Sequence, residues 1–107
     1  MVRQLTPRQL QERLAASGEP PVVLDVRQPW EAQICALPGS TLIPMNDVPH
    51  RLEELNKNAE IVVLCHHGVR SQRVAYYLQT LGFEKLYNLS GGIDAWSKEV
   101  DPTMAKY

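Results

Sequence analysis

The sequence has 107 residues, of which 44% are hydrophobic and 21% charged, and its formal net charge is −1. This length suits one domain with a single hydrophobic core, so we expect one domain spanning 1-107. A charge so close to zero excludes the extended basic surface with which proteins hold nucleic acids or anionic membranes.

The first predicted element is a helix. Thr6 is a typical N-cap, Pro7 occupies the first helical position, and Gln9 completes the capping pattern. Because leucines follow at helical spacing, we predict a helix over 7–16, ended by a Ser-Gly pair. The charges and glutamines of this region stand where a signal peptide has an apolar core, and no later segment approaches the roughly 20 apolar residues of a membrane span. We therefore expect a cytoplasmic protein with no membrane partner and no nucleic-acid partner.

Two apolar runs follow, and both are typical of strands buried on both faces of a sheet. They are "VVLDV" at 22–26 and "EIVVLC" at 60–65. Between them, "TLIPM" at 41–45 is a shorter strand candidate, and "DVPHRLEELN" at 47–56 indicates a helix of two or three turns.

The second half of the chain continues the alternation. From Arg70 or Ser71 the apolar period becomes helical, and Gly82 stands where a C-terminal cap belongs. "EKLYNLSGG" at 84–92 indicates another strand leading to a glycine turn, and "IDAWSKEV" at 93–100 a last short helix. Because strands alternate with helices, we predict an α/β fold: a three-layer domain whose mainly parallel central sheet of about four or five strands is flanked by helices.

Cys65 occupies the position where such a sheet binds ligands. Ligands collect beyond the carboxyl ends of parallel strands, and Cys65 ends a central strand while Ser71 opens the next helix. A helix N-terminus, converging amides and nearby cations lower a thiol pKa from about 8.5 to between about 3.5 and 7.5. Gly68 permits the turn that such amides require. Positive charge is available from His66, His67, Arg70 and Arg73. We expect a thiolate, or an anion carried on this sulfur.

The spacing from Cys65 to Arg70 limits the size of that anion. Four residues separate them, whereas protein tyrosine phosphatases have five in a loop that wraps three phosphate oxygens. Phosphatase and arsenate reductase activities are therefore disfavoured. The adjacent His66 and His67 cannot easily share one tetrahedral metal ion with Cys65. We expect neither a metal nor a cofactor.

The segment "CHHGVRS" at 65–71 resembles the active loop of the single-domain rhodanese-like sulfurtransferases, the thiosulfate sulfurtransferase family, which surrounds one sulfur atom. Three further segments resemble landmarks of that family in the same order: "LDVRQPWE" at 24–31, "LPGSTLIP" at 37–44 and "LSGGIDAW" at 89–96. One segment departs from the family pattern. Where the family commonly has Gly-His-Ile, this chain has Cys-Ala-Leu at 35–37, which places a second thiol there.

The resemblance implies a sulfurtransferase with Cys65 as its catalytic nucleophile. The thiolate would take the outer sulfur of thiosulfate or a related donor and hold it as a persulfide until cyanide, a thiol or a protein acceptor removes it. Two alternatives remain: a persulfide carrier in a sulfur relay, and a noncatalytic interaction module with the same fold. The implied substrate- and persulfide-binding loop consists of His66, His67, Gly68, Val69, Arg70 and Ser71.

Asp25, Arg27 and Glu31 are candidates for supporting this loop. Arg70 turns either outward to an anionic donor or inward to a carboxylate such as Asp25 or Glu31. We favour the inward orientation, because a bidentate pair would brace a loop of this kind. We expect Cys35 to be a partly buried free thiol without a catalytic role.

Overall fold

Strands and helices alternate along the chain in the computed structural model, which describes residues 1–107. The strands are β1 (Arg3–Leu5), β2 (Val22–Asp25), β3 (Thr41–Leu42), β4 (Ile61–Leu64) and β5 (Leu86–Leu89). The α-helices are α1 (Pro7–Ala15), α2 (Pro29–Ile34), α3 (Val69–Thr80) and α4 (Gly92–Glu99), and two 3₁₀ helices span Met45–His50 and Leu52–Glu54. No helix is long and apolar enough to cross a membrane.

All five strands are parallel and form one sheet in the order β1-β5-β4-β2-β3. Helices cover both of its faces. On one face, α3 packs on a core cluster that includes Val63, Val74 and Leu78. On the other, α1 and α4 pack on a second cluster that includes Leu64 and Ile93. The predicted three-layer α/β fold with a parallel sheet is confirmed.

Two predicted elements differ from the structure. The strand expected over 41–45 ends at Leu42, because the pairing with β2 then loses its register: the N–H of Ile43 donates to the Asp25 carbonyl, but that of Met45 donates to the carbonyl of the next residue, Val26, instead of the one after it. The single helix of two or three turns expected over 47–56 is replaced by the two 3₁₀ helices. Pro49 disfavours α geometry at the preceding residue and donates no hydrogen bond, so only short turns close there.

Two short elements, β1 and α2, have no counterpart in the predicted set. With three and six residues they are too short to display a hydrophobic period. The start of α2 nevertheless follows a local rule. Pro29 takes the first helical position, and the Glu31 carboxylate accepts the N–H of Gln28 at 3.0 Å. This helix matters because it carries Glu31 to the site.

The carboxyl ends of the central strands meet at one edge of the sheet. Asp25 ends β2, Cys65 follows β4, and Asn88 lies near the end of β5. Helices α3 and α4 begin at the same edge. Cys65 therefore lies where two helix N-termini and three strand ends meet.

Candidate active site

Residues Cys65 to Ser71 form a tight turn, here called the Cys65 loop. Gly68 is the N-cap of α3 and has a φ of +102°, a conformation that side-chain-bearing residues rarely adopt. Its N–H donates to the Sγ of Cys65 at 3.0 Å. Ser71 is buried in the first turn of α3, and its Oγ lies 3.3 Å from the same sulfur. The loop thus curls around one sulfur atom.

The surroundings of Cys65 favour its thiolate. The residue is 1% exposed, and burial by itself raises the pKa of the thiol. Hydrogen bonds from the Ser71 hydroxyl and from the main-chain N–H groups of Ser71, Gly68 and His67 outweigh burial, so the pKa lies below its ordinary value. A larger fraction of the sulfur is therefore ionised at neutral pH than in an ordinary cysteine.

The N-terminus of α4 holds the same loop through its carbonyl groups. The N–H of Ile93 donates to the carbonyl oxygen of Cys65 at 2.8 Å, and the N–H of Asp94 donates to that of His66 at 3.0 Å. Gly92 lies so close that a Cβ there would overlap both carbonyls. The glycine turn predicted before the last helix is thus required by the contact between α4 and the Cys65 loop.

Arg70 takes the inward orientation and pairs with Glu31. Its two terminal nitrogens donate to Oε1 and Oε2 of the carboxylate at 2.6 and 2.8 Å. The Glu31 side chain is 4% exposed and that of Arg70 31%. Hydrogen bonds from Arg70 outweigh the opposing effect of burial and hold the pKa of Glu31 at about 2. The loop cation is therefore neutralised by a carboxylate that stays ionised at neutral pH.

Asp25 pairs with Arg27 rather than with Arg70. Arg27 is fully buried, and its side chain donates to both carboxylate oxygens of Asp25 at 2.7 to 3.2 Å. Its two terminal nitrogens also donate to main-chain carbonyl oxygens, one to that of Glu31 at 3.3 Å and the other to that of Cys35 at 2.7 Å. Burial disfavours the charge, but the bonds to Asp25 outweigh it, so the pKa of Arg27 is raised. Arg27 thus ties the end of β2 to the first turn and the C-cap of α2.

Asn88 is a site residue that the sequence analysis missed. It is buried near the end of β5 and accepts a hydrogen bond from the Ser71 hydroxyl, while its Nδ2 donates to the carbonyl of Gly68 at 3.2 Å. The Ser71 hydroxyl has one hydrogen, so a hydrogen bond to a Cys65 thiolate competes with the bond to Asn88. The available signal was an amide within an otherwise apolar strand, because a buried polar group needs a hydrogen-bonding partner.

Tyr107 is the second residue that the analysis missed. Its hydroxyl donates to Oε2 of Glu31 at 2.7 Å and accepts from Arg27 at 3.0 Å. Burial, opposed by Arg27 and reinforced by Glu31, raises the pKa of Tyr107 to about 12, so the phenol is neutral. Nothing in the local sequence connects a residue so distant along the chain with this site.

The two loop histidines differ in their surroundings. His67 is exposed, and its Nε2 lies 3.8 Å from the Asp94 carboxylate, which also pairs with Lys98 at 3.2 Å. His66 is half-buried, and burial together with the neighbouring His67 lowers its pKa, so its ring is neutral at neutral pH. Val69 is exposed on the outside of the loop.

The groups that could hold a metal ion are His66, His67 and Asp94, whose ligand atoms lie within 4.8 Å of one another. The two imidazole rings lie against each other, with centroids 4.0 Å apart and planes tilted by 30°. Lone pairs lie in the plane of each ring, so rings packed face against face in this way do not converge on one ion as a tetrahedral site requires. The ammonium group of Lys98 also pairs with the Asp94 carboxylate.

Cys35 lies at the C-terminal end of α2 and is half-buried. Its Sγ is 4.0 Å from a terminal nitrogen of Arg27. Both cysteines are free thiols. Cys35 thus contacts Arg27, one of the residues that support the Cys65 loop.

Comparison with known proteins relates both fold and loop to one family. The family model for the rhodanese-like domain matches residues 6–99. A sulfurtransferase from Allochromatium vinosum is 33% identical over 105 residues, which are 98% of this chain and 97% of that protein. A rhodanese-like domain protein from Staphylococcus aureus has a crystal structure that superposes with a TM-score of 0.84 at 34% identity, covering 92% of this chain and 94% of that one. The chain belongs to the rhodanese-like domain family.

Other relatives carry more varied names. The chloroplastic rhodanese-like/PpiC domain-containing protein 12 of Arabidopsis thaliana is 40% identical over 89 residues, but this chain spans only 30% of its length. Thiosulfate sulfurtransferase GlpE of Pseudoalteromonas translucida is 36% identical over 70% of this chain and 71% of its own length. The putative sulfur carrier protein YrkF of Bacillus subtilis is 37% identical over 74% of this chain and 43% of its own length.

Proposed function

We propose that this protein is a sulfurtransferase that moves a sulfane sulfur from thiosulfate or a related donor to cyanide or a thiol through a persulfide on Cys65. The observation that carries the proposal is the Cys65 sulfur itself, which is buried and accepts the Gly68 N–H at 3.0 Å inside a tight loop. The names of the full-length relatives support the sulfurtransferase class.

The transfer takes two displacement steps. In the first, the Cys65 thiolate attacks the outer sulfur of thiosulfate, the S–S bond of the donor breaks, and sulfite leaves with the bonding electron pair. In the second, cyanide or a thiolate attacks the outer sulfur of the persulfide, and the electron pair of the broken bond returns to Cys65. The protein ends in its starting state, so the proposed cycle needs neither a cofactor nor a metal.

The Cys65 loop supplies the charge stabilisation that these steps require. Between the steps, the negative charge lies on the outer sulfur of the persulfide, close to the loop amides and the N-terminus of α3. The ion pairs Arg70–Glu31 and Arg27–Asp25 act in this proposal as supports that keep the amides in place.

We propose, as the sequence predicts, that 1-107 is one rhodanese-like domain. Its proposed partners are a small sulfur donor, a thiol or cyanide acceptor, and a possible protein acceptor. A cytoplasmic location is part of the proposal, because the cycle needs Cys65 as a free thiol and a reducing compartment keeps thiols free.

Intact-mass measurement tests the proposal directly. Incubation with thiosulfate is expected to add about 32 mass units to the protein, the mass of one sulfur atom, and to release sulfite. Cys65→Ser removes the nucleophile and should abolish both signals. Cys35→Ser is the matched control and should keep both. An unmodified wild type, or sulfur retained on Cys65→Ser, would refute the proposal.

A persulfide carrier is the second candidate. The relative named as a putative sulfur carrier supports it. So does the ion pair of Arg70 with Glu31, which leaves this cation neutralised rather than available to the two negative charges of thiosulfate. A carrier would turn over slowly with thiosulfate and cyanide but exchange sulfur rapidly with a protein persulfide. A steady-state panel of donors and acceptors, read by sulfite release with intact mass in parallel, separates the two. A noncatalytic module would acquire no sulfur from any donor.

A further inference from the structure

Tyr107 lies against the outside of the Cys65 loop. Its ring stacks on the imidazole of His66, with centroids 3.9 Å apart and planes inclined by only 8°. Trp30, which is 60% exposed, packs edge-on against the Tyr107 ring, with ring centroids 5.9 Å apart. The three side chains Trp30, Tyr107 and His66, here called the aromatic row, come from α2, the last residue of the sequence and the loop itself.

The phenol hydroxyl fixes this row to the buried ion pairs. It donates to Glu31 and accepts from Arg27, and Glu31 in turn holds Arg70. Tyr107 therefore connects His66, near the start of the Cys65 loop, with the Glu31 carboxylate, which holds Arg70 near its end. Its ring therefore lies beside both His66 and the Arg70–Glu31 ion pair.

The same side chain holds the end of the sequence in place. Residues 105–107 form no backbone–backbone hydrogen bond, and the bonds of residues 101–104 join them to one another and to the end of α4. One stacked ring and two hydrogen bonds attach Tyr107 to the site, and Met104 and Tyr107 also pack against the second core cluster. Cys65 itself is 1% exposed.

We propose that Tyr107 is a specificity-determining residue whose ring limits the size of the sulfur donor or acceptor that reaches Cys65. The inference rests on the proposed sulfur transfer. With the ring in position, the loop admits a small donor such as thiosulfate. A bulky persulfide, such as one carried on a polypeptide, reaches the sulfur only when residues 101–107 move aside.

Alkylation of Cys65 tests this inference without any sulfur chemistry. The probes are iodoacetamide, which is small, and a polyethylene-glycol maleimide, which is bulky, with reaction at Cys65 separated from Cys35 by peptide mass. Losing a stacked pair and two hydrogen bonds is expected to speed the bulky reaction at least about tenfold in Tyr107→Ala. The iodoacetamide rate should change less than about twofold, because a small reagent already passes the ring.

Two further variants complete the design. Tyr107→Phe keeps the ring and loses only the hydroxyl, so it should give an intermediate gain, and it carries the test if the alanine variant proves unfolded by circular dichroism. Tyr76→Ala removes an exposed tyrosine from the outer face of α3 and should change neither rate. Equal changes with both probes in the Tyr107 variants, or Tyr107 variants indistinguishable from Tyr76→Ala, would overturn the inference.

Sulfur loading then links the ring to the donor. The ratio of kcat/KM for glutathione persulfide to that for thiosulfate should rise in Tyr107→Ala, mainly through a lower KM for the larger donor. If Tyr107→Ala speeds alkylation by the bulky probe but leaves this kcat/KM ratio unchanged, the ring controls access only. That result would overturn its role in specificity. If alkylation changes as expected but neither donor loads Cys65 in any variant, the proposed function fails while the access role of Tyr107 stands.

Discussion

Replacing Glu31 with glutamine tests whether its ion pair with Arg70 stabilises the folded loop. Glutamine keeps the size of the side chain but removes the charge that Arg70 contacts at 2.6 and 2.8 Å. A pKa of about 2 in place of the ordinary 4.5 means that the ionised form stabilises the fold by about 3 kcal/mol at neutral pH, at about 1.4 kcal/mol for each tenfold change in proton affinity. Water replaces part of this contact, because Arg70 is 31% exposed, so we expect Glu31→Gln to lower the free energy of unfolding by about 2 kcal/mol.

Urea unfolding across a pH series measures this loss. Since folding lowers the pKa of Glu31, its contribution is present above the unfolded-state value and is lost as the pH falls from 4.5 toward about 2. The stability difference between wild type and Glu31→Gln should therefore be largest at neutral pH and shrink over that acid range. A difference that stays constant on acidification would refute the assignment of the lowered pKa to the ion pair.

The chain offers a control with the same contact geometry. Glu54 accepts two hydrogen bonds from Arg51 at 2.6 and 2.8 Å, but the two side chains are 41% and 38% exposed. Solvent screens this pair, so Glu54→Gln should cost clearly less than Glu31→Gln. Equal losses in the two variants would show that burial at the loop does not strengthen the contact.

Two further substitutions test a side-chain contact of the sulfur and the close approach of α4 to the Cys65 loop. Ser71→Ala removes a hydrogen bond that lowers the pKa of Cys65, so the midpoint of the alkylation rate against pH should move to higher pH; an unmoved midpoint would assign the lowered pKa to the main-chain amides alone. Gly92→Ala places a Cβ on the carbonyls of Cys65 and His66 and should lower the free energy of unfolding by at least about 3 kcal/mol. Gly18→Ala is its control, because that glycine also has a positive φ but open space around it, and about 1 to 2 kcal/mol is expected there. Thermal unfolding measures both, and equal losses would contradict the close approach of α4.

Uniform hydrophobicity explains why the centre of the fold was predictable. A strand whose four residues are all buried leaves the same apolar run in the sequence whatever lies around it, as β4 shows. The position of Cys65 at the end of that strand follows from the order of elements alone. The short elements β1 and α2 are stabilised by the sheet edge and by caps, and neither leaves a hydrophobic period.

The contacts between distant residues were less accessible to sequence reasoning. The inward orientation of Arg70 was favoured on chemical grounds, but the choice of Glu31 over Asp25 depends on α2, which the patterns do not predict. Tyr107 reaches the site from 76 residues beyond Glu31. Its phenol satisfies two buried charged groups at once, a requirement that becomes visible only when those groups are placed in space.

The way in which the Cys65 loop is held separates the stabilisation of charge on the sulfur from the choice of molecules that dock at the loop. The sulfur is contacted by main-chain N–H groups, and the main-chain carbonyls of the loop are held by α4, so neither function depends on the side chains of His66, His67 or Val69. Substitutions at these three positions can therefore alter which molecules dock at the loop while the stabilisation of negative charge on sulfur stays the same. For the proposed sulfur transfer, such an arrangement would allow the donor or acceptor to change through a few loop side chains while the nucleophile stays the same.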